Sequence, residues 1–240
     1  MKIAIIGYGK MGRAIEKLAV KEGHEVVIAI NSKNSAEIDN LNHYTPDVAI
    51  EFSTPDSAVS NLQKIIQQQI PVICGTTAWH EEYESICDLT IKNNSALLYA
   101  SNYSVGMNLM FRMNAQLAEM MGKFASYKPS ITEIHHIHKL DAPSGTAVTL
   151  ADQIIENQKN ISSWNLEDNK EGTLHINAVR EGEVIGTHHV QYQSEIDDIT
   201  LSHVAHNRNG FVAGALLAAE YLHTRKGIHT MQDVLSWALK

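Results

Sequence analysis

Cysteine is almost missing from this chain of 240 residues. Only Cys74 and Cys87 occur, each in an apolar stretch. Two are too few for a disulfide framework, so they read as buried thiols of a reducing compartment. Positive charge is also scarce, with 19 Lys and Arg against 27 Asp and Glu and a formal net charge of −8. No basic block can displace counterions from phosphates, which excludes a nucleic-acid partner. A local cluster of cations can still hold an anionic small molecule. No apolar run reaches the roughly 18 to 20 residues of a membrane span, and no basic segment followed by an apolar one opens the chain. The expectation is a cytoplasmic protein with no membrane partner. What remains is ordinary globular material, 44% hydrophobic and 19% charged, with neither internal repeat nor low-complexity tract. That length suits one large domain or two modest ones.

The first hundred residues alternate strands and helices. "KIAIIG" (2–7) is an apolar run ending in glycine, and "KMGRAIEKLAVKEG" follows with Ala14, Ile15, Leu18 and Ala19 at helical spacing. "EVVIAIN" (25–31), "DVAIEFS" (47–53), "PVICGTT" (71–77) and "ALLYASN" (96–102) read as further strands, with a helix opening at Thr54-Pro55. Apolar strands separated by helices imply a Rossmann-like, doubly wound parallel α/β sheet. After Ser104 the pattern changes. A Met-rich helix spans 105–124, "SITEIHHIH" (130–138) is strand-like, a helix covers 146–158, and three strands lie between Thr173 and Val204 with a turn at "GEVIG". This predicts a second α+β domain with a mainly antiparallel sheet over 105–208. Residues 1–104 plus 209–240, ending in two helices, form the dinucleotide-binding domain.

"GYGKMG" (7–12) is a G-x-G-x-x-G motif at a strand-to-helix junction. Gly7 permits the tight turn, Gly9 admits the phosphates and Gly12 lets helix and strand pack, while the helix N-terminus offers N–H donors. Tyr8, Lys10 and Met11 fall inside the same loop. At the next strand end, Asn31 can bond a ribose and Lys33 can pair with a 2′-phosphate. That leans towards NADPH, with NADH open and Lys33 equally readable as a solvated lysine. Ligands in such sheets lie beyond the carboxyl ends of the strands. Gly75, Thr76 and Thr77 after the fourth strand, and Ala100, Ser101, Asn102 and Tyr103 after the fifth, complete the cofactor candidates.

"EIHHIHKLDAPSGTA" (133–147) packs His135, His136, His138 and Lys139 before the start of a helix. A metal cluster is one reading, but adjacent histidines on a strand point to opposite faces and only Glu133 stands near as a further ligand; no metal is expected. A fortuitous polar loop is another. The third is an anion cradle with an acid beside it. If the strand runs on to residue 139, His135 and Lys139 share a face, although the turn at 140–145 leaves that open. Pro143 suits the first helical turn. Ser144, Gly145 and Thr146 then present unpaired N–H groups and hydroxyls to a carboxylate. Lys139 adds charge, and His135 can supply a proton near neutral pH.

This block resembles the signature of the 4-hydroxy-tetrahydrodipicolinate reductase family, formerly the dihydrodipicolinate reductases. The similarity extends through "GYGKMGRA", "EFSTP", "SNYSVGMN", "VREGEVIGTHHV" and "SHVAHNRNGFVAGALLAA". It implies an NAD(P)H-dependent reduction of a cyclic imine dicarboxylate on the diaminopimelate route to lysine. His135 is similar to the family's acid/base, Lys139 to its proton donor, His136 to a substrate contact, and Gly145 and Thr146 to its carboxylate-binding pair. The resemblance also implies a homotetramer built through the second sheet. Asn31 stands where an acidic residue is common in the family, and the glycine loop is one residue tighter than in many members. Arg180 and Arg208 are cations for ligand or subunit contacts, without an assigned role. Another two-domain dehydrogenase gives no reason for the His-Lys block. A non-enzymatic nucleotide sensor calls for a DNA-binding module or basic patch, and neither is visible.

Overall fold

The computed structural model describes residues 1–167 and 171–240. They divide into two compact units, Met1–Val105 with Asn209–Lys240, and Gly106–Arg208.

In the first unit, β1 (Lys2–Ile6), β2 (Glu25–Ile30), β3 (Val48–Glu51), β4 (Val72–Cys74), β5 (Ala96–Tyr99) and the late strand β11 (Gly227–His229) form one sheet. Its order is β11-β5-β4-β3-β1-β2 and every pairing is parallel. The alternation of β1 explains its unbroken apolar sequence. Ile3 and Ile5 enter one core with α1 (Lys10–Lys21), α6 (Asn209–Leu222) and α7 (Met231–Ala238). Ala4 and Ile6 enter the other with α2 (Pro55–Gln67) and α3 (Tyr83–Lys92). A strand covered on both faces has no need of polar positions. Thr54 and Ser57 form a capping box at α2, with Pro55 in its first turn. Both cysteines are buried and free. The segment Ser35–Tyr44, a kinked 3-10 stretch, and α3 lie outside the elements that the sequence predicts.

The second unit holds β6 (Lys128–His135), β7 (Ser163–Asn165), β8 (Thr173–Arg180), β9 (Thr187–Gln193) and β10 (Asp198–Val204), in the order β10-β9-β6-β8-β7. Its sheet is mixed. β10–β9 and β9–β6 are antiparallel, whereas β6–β8 and β8–β7 are parallel. The physical reason is the helix α5 (Gly145–Ile155), which provides the long crossover that a parallel pair requires. The "GEVIG" turn therefore joins β8 to β9 across β6 rather than closing a hairpin. One face of the sheet packs Ile131, Leu174, Ile176, Val190 and Tyr192 against α4 (Val105–Met121) and α5. Met107, Met110 and Met121 of α4 serve that core. Among the described residues, no helix is long and apolar enough to cross a membrane.

Candidate active site

The glycine loop leaves β1 at Ile6 and enters α1 at Lys10. Gly7 has φ +95°, and a Cβ there would lie 2.0 Å from the Phe52 carbonyl oxygen, so only glycine fits. A Cβ on Gly12 would meet Gly7 O at 2.4 Å, which fixes how closely α1 lies on β1. Gly9 faces open space. It caps α1 without any side-chain hydrogen bond, and the first turn carries no acidic residue. Exposed N–H donors over an uncluttered glycine fit a dinucleotide pyrophosphate. Asn31 lies just past β2, its Oδ1 accepting the Lys33 N–H at 2.8 Å, and both residues are exposed. Lys10, Thr77 and Ser101 are exposed, and Tyr8, Met11, Gly75, Ala100 and Asn102 are half-buried at the same sheet edge.

Two candidates there turn inward. Thr76 is 6% exposed, its hydroxyl donating to Glu51 and accepting from Ser53 N–H. Tyr103 is 2% exposed and donates to the carbonyls of Cys74 and Leu98 at 2.9 and 3.0 Å. Its phenol is core, and burial raises its pKa well above the ordinary range. These side chains shape the crevice and do not line it.

In the second unit, strand register assembles the chemistry. Ile131, Glu133 and His135 alternate onto one face of β6, and the core stripe becomes polar at the strand's end. Glu133 stands opposite His188 on β9, and His135 opposite Arg180 on β8. Glu133 is fully buried. One carboxylate oxygen accepts His135 Nδ1, while the other accepts Arg180 Nη2 at 2.9 Å and Ser144 N–H at 3.2 Å. Burial works to raise its pKa, but the hydrogen bonds and charges of His135 and Arg180 prevail and hold it down to about 2. An ionised carboxylate only accepts, so the His135 Nδ1 carries the proton and Nε2 is the working nitrogen. A Cβ at Gly186 would lie 3.2 Å from that Nε2. His188 is 4% exposed and shares a 3.3 Å hydrogen bond with the Ser144 hydroxyl. Burial, helped by the charge of His135, lowers its pKa to about 3, so it stays neutral. Glu133, His135 and His188 bring potential metal-ligand atoms within 4.8 Å of one another. Both oxygens of Glu133 are already engaged by protein donors.

The segment after His135 is a turn, not a continued strand. β6 ends at His135, and Lys139 N–H bonds to His136 O at 3.1 Å. A turn rather than shared strand parity therefore sets Lys139. Its ammonium pairs with both carboxylate oxygens of Asp141 at 2.8 and 2.9 Å, which holds Asp141 below the usual carboxylate range. His136 is half-buried, with Nδ1 lacking a partner among the described residues. α5 begins at Gly145 with Ser144 as its cap, so Pro143 precedes the cap and is not its first residue. Ser144 is also not a free donor. Its N–H serves Glu133 and its hydroxyl accepts Ala147 N–H at 3.2 Å. Gly145 opens on empty space, and no acidic residue stands in the first turn of α5. At the head of α5, Gly145 is thus the exposed position, with Thr146 half-buried beside it.

A family profile described as dihydrodipicolinate reductase, N-terminus, matches residues 1–103, and one described as dihydrodipicolinate reductase, C-terminus, matches 106–235. The chain belongs to the dihydrodipicolinate reductase family. It is 44% identical over 236 residues, 98% of each chain, to the 4-hydroxy-tetrahydrodipicolinate reductase of Christiangramia forsetii. To that of Alkaliphilus metalliredigens it is 33% identical over 246 residues, covering 98% of this chain and 99% of the relative. The dipicolinate-bound dihydrodipicolinate reductase of Paenisporosarcina sp. TG-14 shares the fold, with TM-score 0.80, 23% identity, and coverage of 96% of this chain and 97% of that one.

Sequence reasoning about this family member named His135 and Lys139 but passed over the groups that contact them. Glu133 was weighed only as a metal ligand, and Arg180 had no assigned place. Asp141 was read as part of a turn. The available signal was a charged residue at an inward strand position, two before His135, where a core residue is the norm. His188 gave no such signal. It reaches the site only through the pairing of β9 with β6.

Proposed function

We propose that the chain reduces 4-hydroxy-tetrahydrodipicolinate to tetrahydrodipicolinate with NAD(P)H, on the diaminopimelate route to lysine. The observation that carries this reading is the Glu133-held His135 imidazole, a turn away from Lys139 and from the open N-terminus of α5. An acid and an anion cradle in one segment are what a dicarboxylate imine requires.

A reduced nicotinamide, when bound, supplies a hydride to the substrate ring. Gly7, Gly9 and Gly12 with the α1 N-terminus would hold its pyrophosphate, and the loops at 75–77 and 100–102 would flank the nicotinamide half. Asn31 and Lys33 would meet the adenosine ribose, with Lys33 favouring a 2′-phosphate. The net reaction consumes one hydride and one proton and releases water. Loss of the ring hydroxyl together with a proton from the adjacent ring carbon, as water, leaves a conjugated C=C–C=N system, and hydride addition places negative charge along the path to nitrogen. One proton, from the Lys139 ammonium or from Nε2 of His135 as imidazolium, quenches it. Gly145 and Thr146 hold one carboxylate at the positive end of α5, and His136 contacts the substrate. Lys139 exchanges its Asp141 partner for the substrate anion, which keeps its charge compensated in both states.

The enzyme is read as a cytoplasmic homotetramer. The face of the second sheet opposite α4 and α5 carries Thr132, Ile134, Val179 and Gln191, with no helix of its unit over it among the described residues, and the edge strand β10 exposes Ile199 and Val204. Substrate generated in situ should consume reduced nicotinamide, monitored by absorbance, and comparing kcat/KM for NADPH and NADH reads the preference. Tight nicotinamide binding with no turnover on that substrate would sink the reading.

A further inference from the structure

We propose that the buried Glu133–Arg180 ion pair is the positioning element of the proton-delivery site: it orients His135 with Nε2 outward and clamps the turn that carries Lys139. The proposal rests on the reading of His135 and Lys139 as the proton donors. Glu133 has no exposed surface, yet every polar contact it makes leads to a different part of the site. His135 Nδ1 occupies one oxygen; Arg180 Nη2 and the Ser144 N–H at the head of α5 share the other. Arg180 then reaches past the carboxylate. Its Nε donates to Lys139 O at 3.3 Å, its Nη2 to Asp141 O, and its Nη1 to Val179 O at 2.8 Å. A guanidinium suits this task because its donors lie in one rigid plane and never lose their charge.

One ion pair thus ties β6, β8, the 136–143 turn and the start of α5. A pair that merely filled the core would not place its free donors on the two carbonyls flanking Leu140. The charged and titratable groups facing His135 are Glu133 on its own strand, Arg180 from β8, His188 from β9, and Lys139 and Asp141 from the turn. His203 of β10 stands behind His188 in register. Of these, Glu133 is the one that makes a direct hydrogen bond to His135.

The two halves of the pair make separable predictions. Glu133→Gln keeps the shape but replaces one acceptor oxygen with a donor nitrogen. The amide can still accept from Arg180, whereas His135 must turn its Nδ1 into an acceptor. We expect kcat to fall about 10²-fold, the alkaline limb of the kcat/KM profile to move to lower pH, and the nicotinamide KM to hold. Glu133→Asp, which retains the charge, should return that limb towards the wild-type position even where kcat is only partly restored. Arg180→Lys leaves the carboxylate ionised but releases the turn, so the substrate KM should rise about tenfold with the limb unmoved. An unmoved limb in Glu133→Gln, or an unchanged substrate KM in Arg180→Lys, overturns the proposal. If the variants do not fold, ¹⁵N imidazole spectra of the wild-type enzyme decide. The His135 resonances, assigned by their loss in His135→Asn, should report a neutral form protonated at Nδ1, and protonation at Nε2 would refute the orientation. That measurement does not depend on turnover. Full activity in His135→Asn would instead overturn the proton-delivery reading while leaving the tautomer result standing.

Discussion

The hydroxyl of Thr76 donates to the buried carboxylate of Glu51 at 2.7 Å and accepts the Ser53 N–H at 2.8 Å. One side chain therefore joins the loops that follow β3 and β4 at the edge where the dinucleotide would bind. Cys74 Sγ and Asn61 Nδ2, each at 3.3 Å, and the Ser53 hydroxyl also donate to Glu51. The thiol is driven far up in pKa, first by burial and then by the charge of Glu51. Thr76→Val keeps the volume but leaves a buried carboxylate short of a donor and a backbone N–H unpaired. We expect a loss of about 1–3 kcal/mol in urea unfolding and a severalfold rise in nicotinamide KM, with kcat near wild type. A variant as stable as the parent would show that the tether carries no load.

His135→Ala and Lys139→Ala should each lower kcat by roughly 10² to 10⁴ while nicotinamide affinity is retained. Dissociation constants measured by fluorescence separate the two effects. Collapse of cofactor binding in either variant would mean that the proton donors have been misassigned.

The cradle predicts a contrast between neighbours. Thr146→Val should act on substrate KM with little cost in stability. Ser144→Ala should act mainly on stability, by about 1 kcal/mol, because its hydroxyl caps α5. Equal effects of the two on KM would return Ser144 to the list of ligands.

Stability should fall on the acid side in two overlapping windows. His188 has its pKa lowered from 6.5 to about 3 by burial and by the charge of His135. Below about pH 6.5 the unfolded chain takes up a proton that the folded chain refuses, so this loss grows until about pH 3 and then levels off. Its slope approaches roughly 1.4 kcal/mol per pH unit. Glu133 has its pKa lowered from 4.5 to about 2. Its ion-pair contribution is complete above about pH 4.5 and is lost as the pH falls towards 2. Urea midpoints between pH 7 and 5 should decline less steeply in His188→Gln than in the wild type, and parallel curves would falsify the first window.

Much of this was legible along the chain, for a physical reason that differs by element. β1 could be read because a strand buried on both faces is apolar throughout, and Gly7 because its turn admits no side chain. Thr54 and Pro55 signal a helix start through local hydrogen bonding and a preset φ. The Ser35–Tyr44 stretch is hard to read because it is a kinked 3-10 segment in which only Ile38 and Leu41 are buried. The ring of Tyr103 lies in the core, which the sequence does not reveal, since an aromatic residue after a strand looks alike whether its ring enters the crevice or the core. Only packing against Phe52, at 5.6 Å between ring centroids, and hydrogen bonds to two carbonyls tell them apart.

Local chemistry in the chain determined the parallel sheet, the glycine turn and the concentration of titratable groups between 133 and 147. Tertiary structure decided which of those groups act together. A parallel partner strand put Arg180 across from His135, an antiparallel one put His188 across from Glu133, and a turn rather than strand parity set Lys139. Such pairings depend on which strands lie side by side, and that order is chosen by the burial of α4 and α5 over the whole sheet. No window of neighbouring residues contains that information.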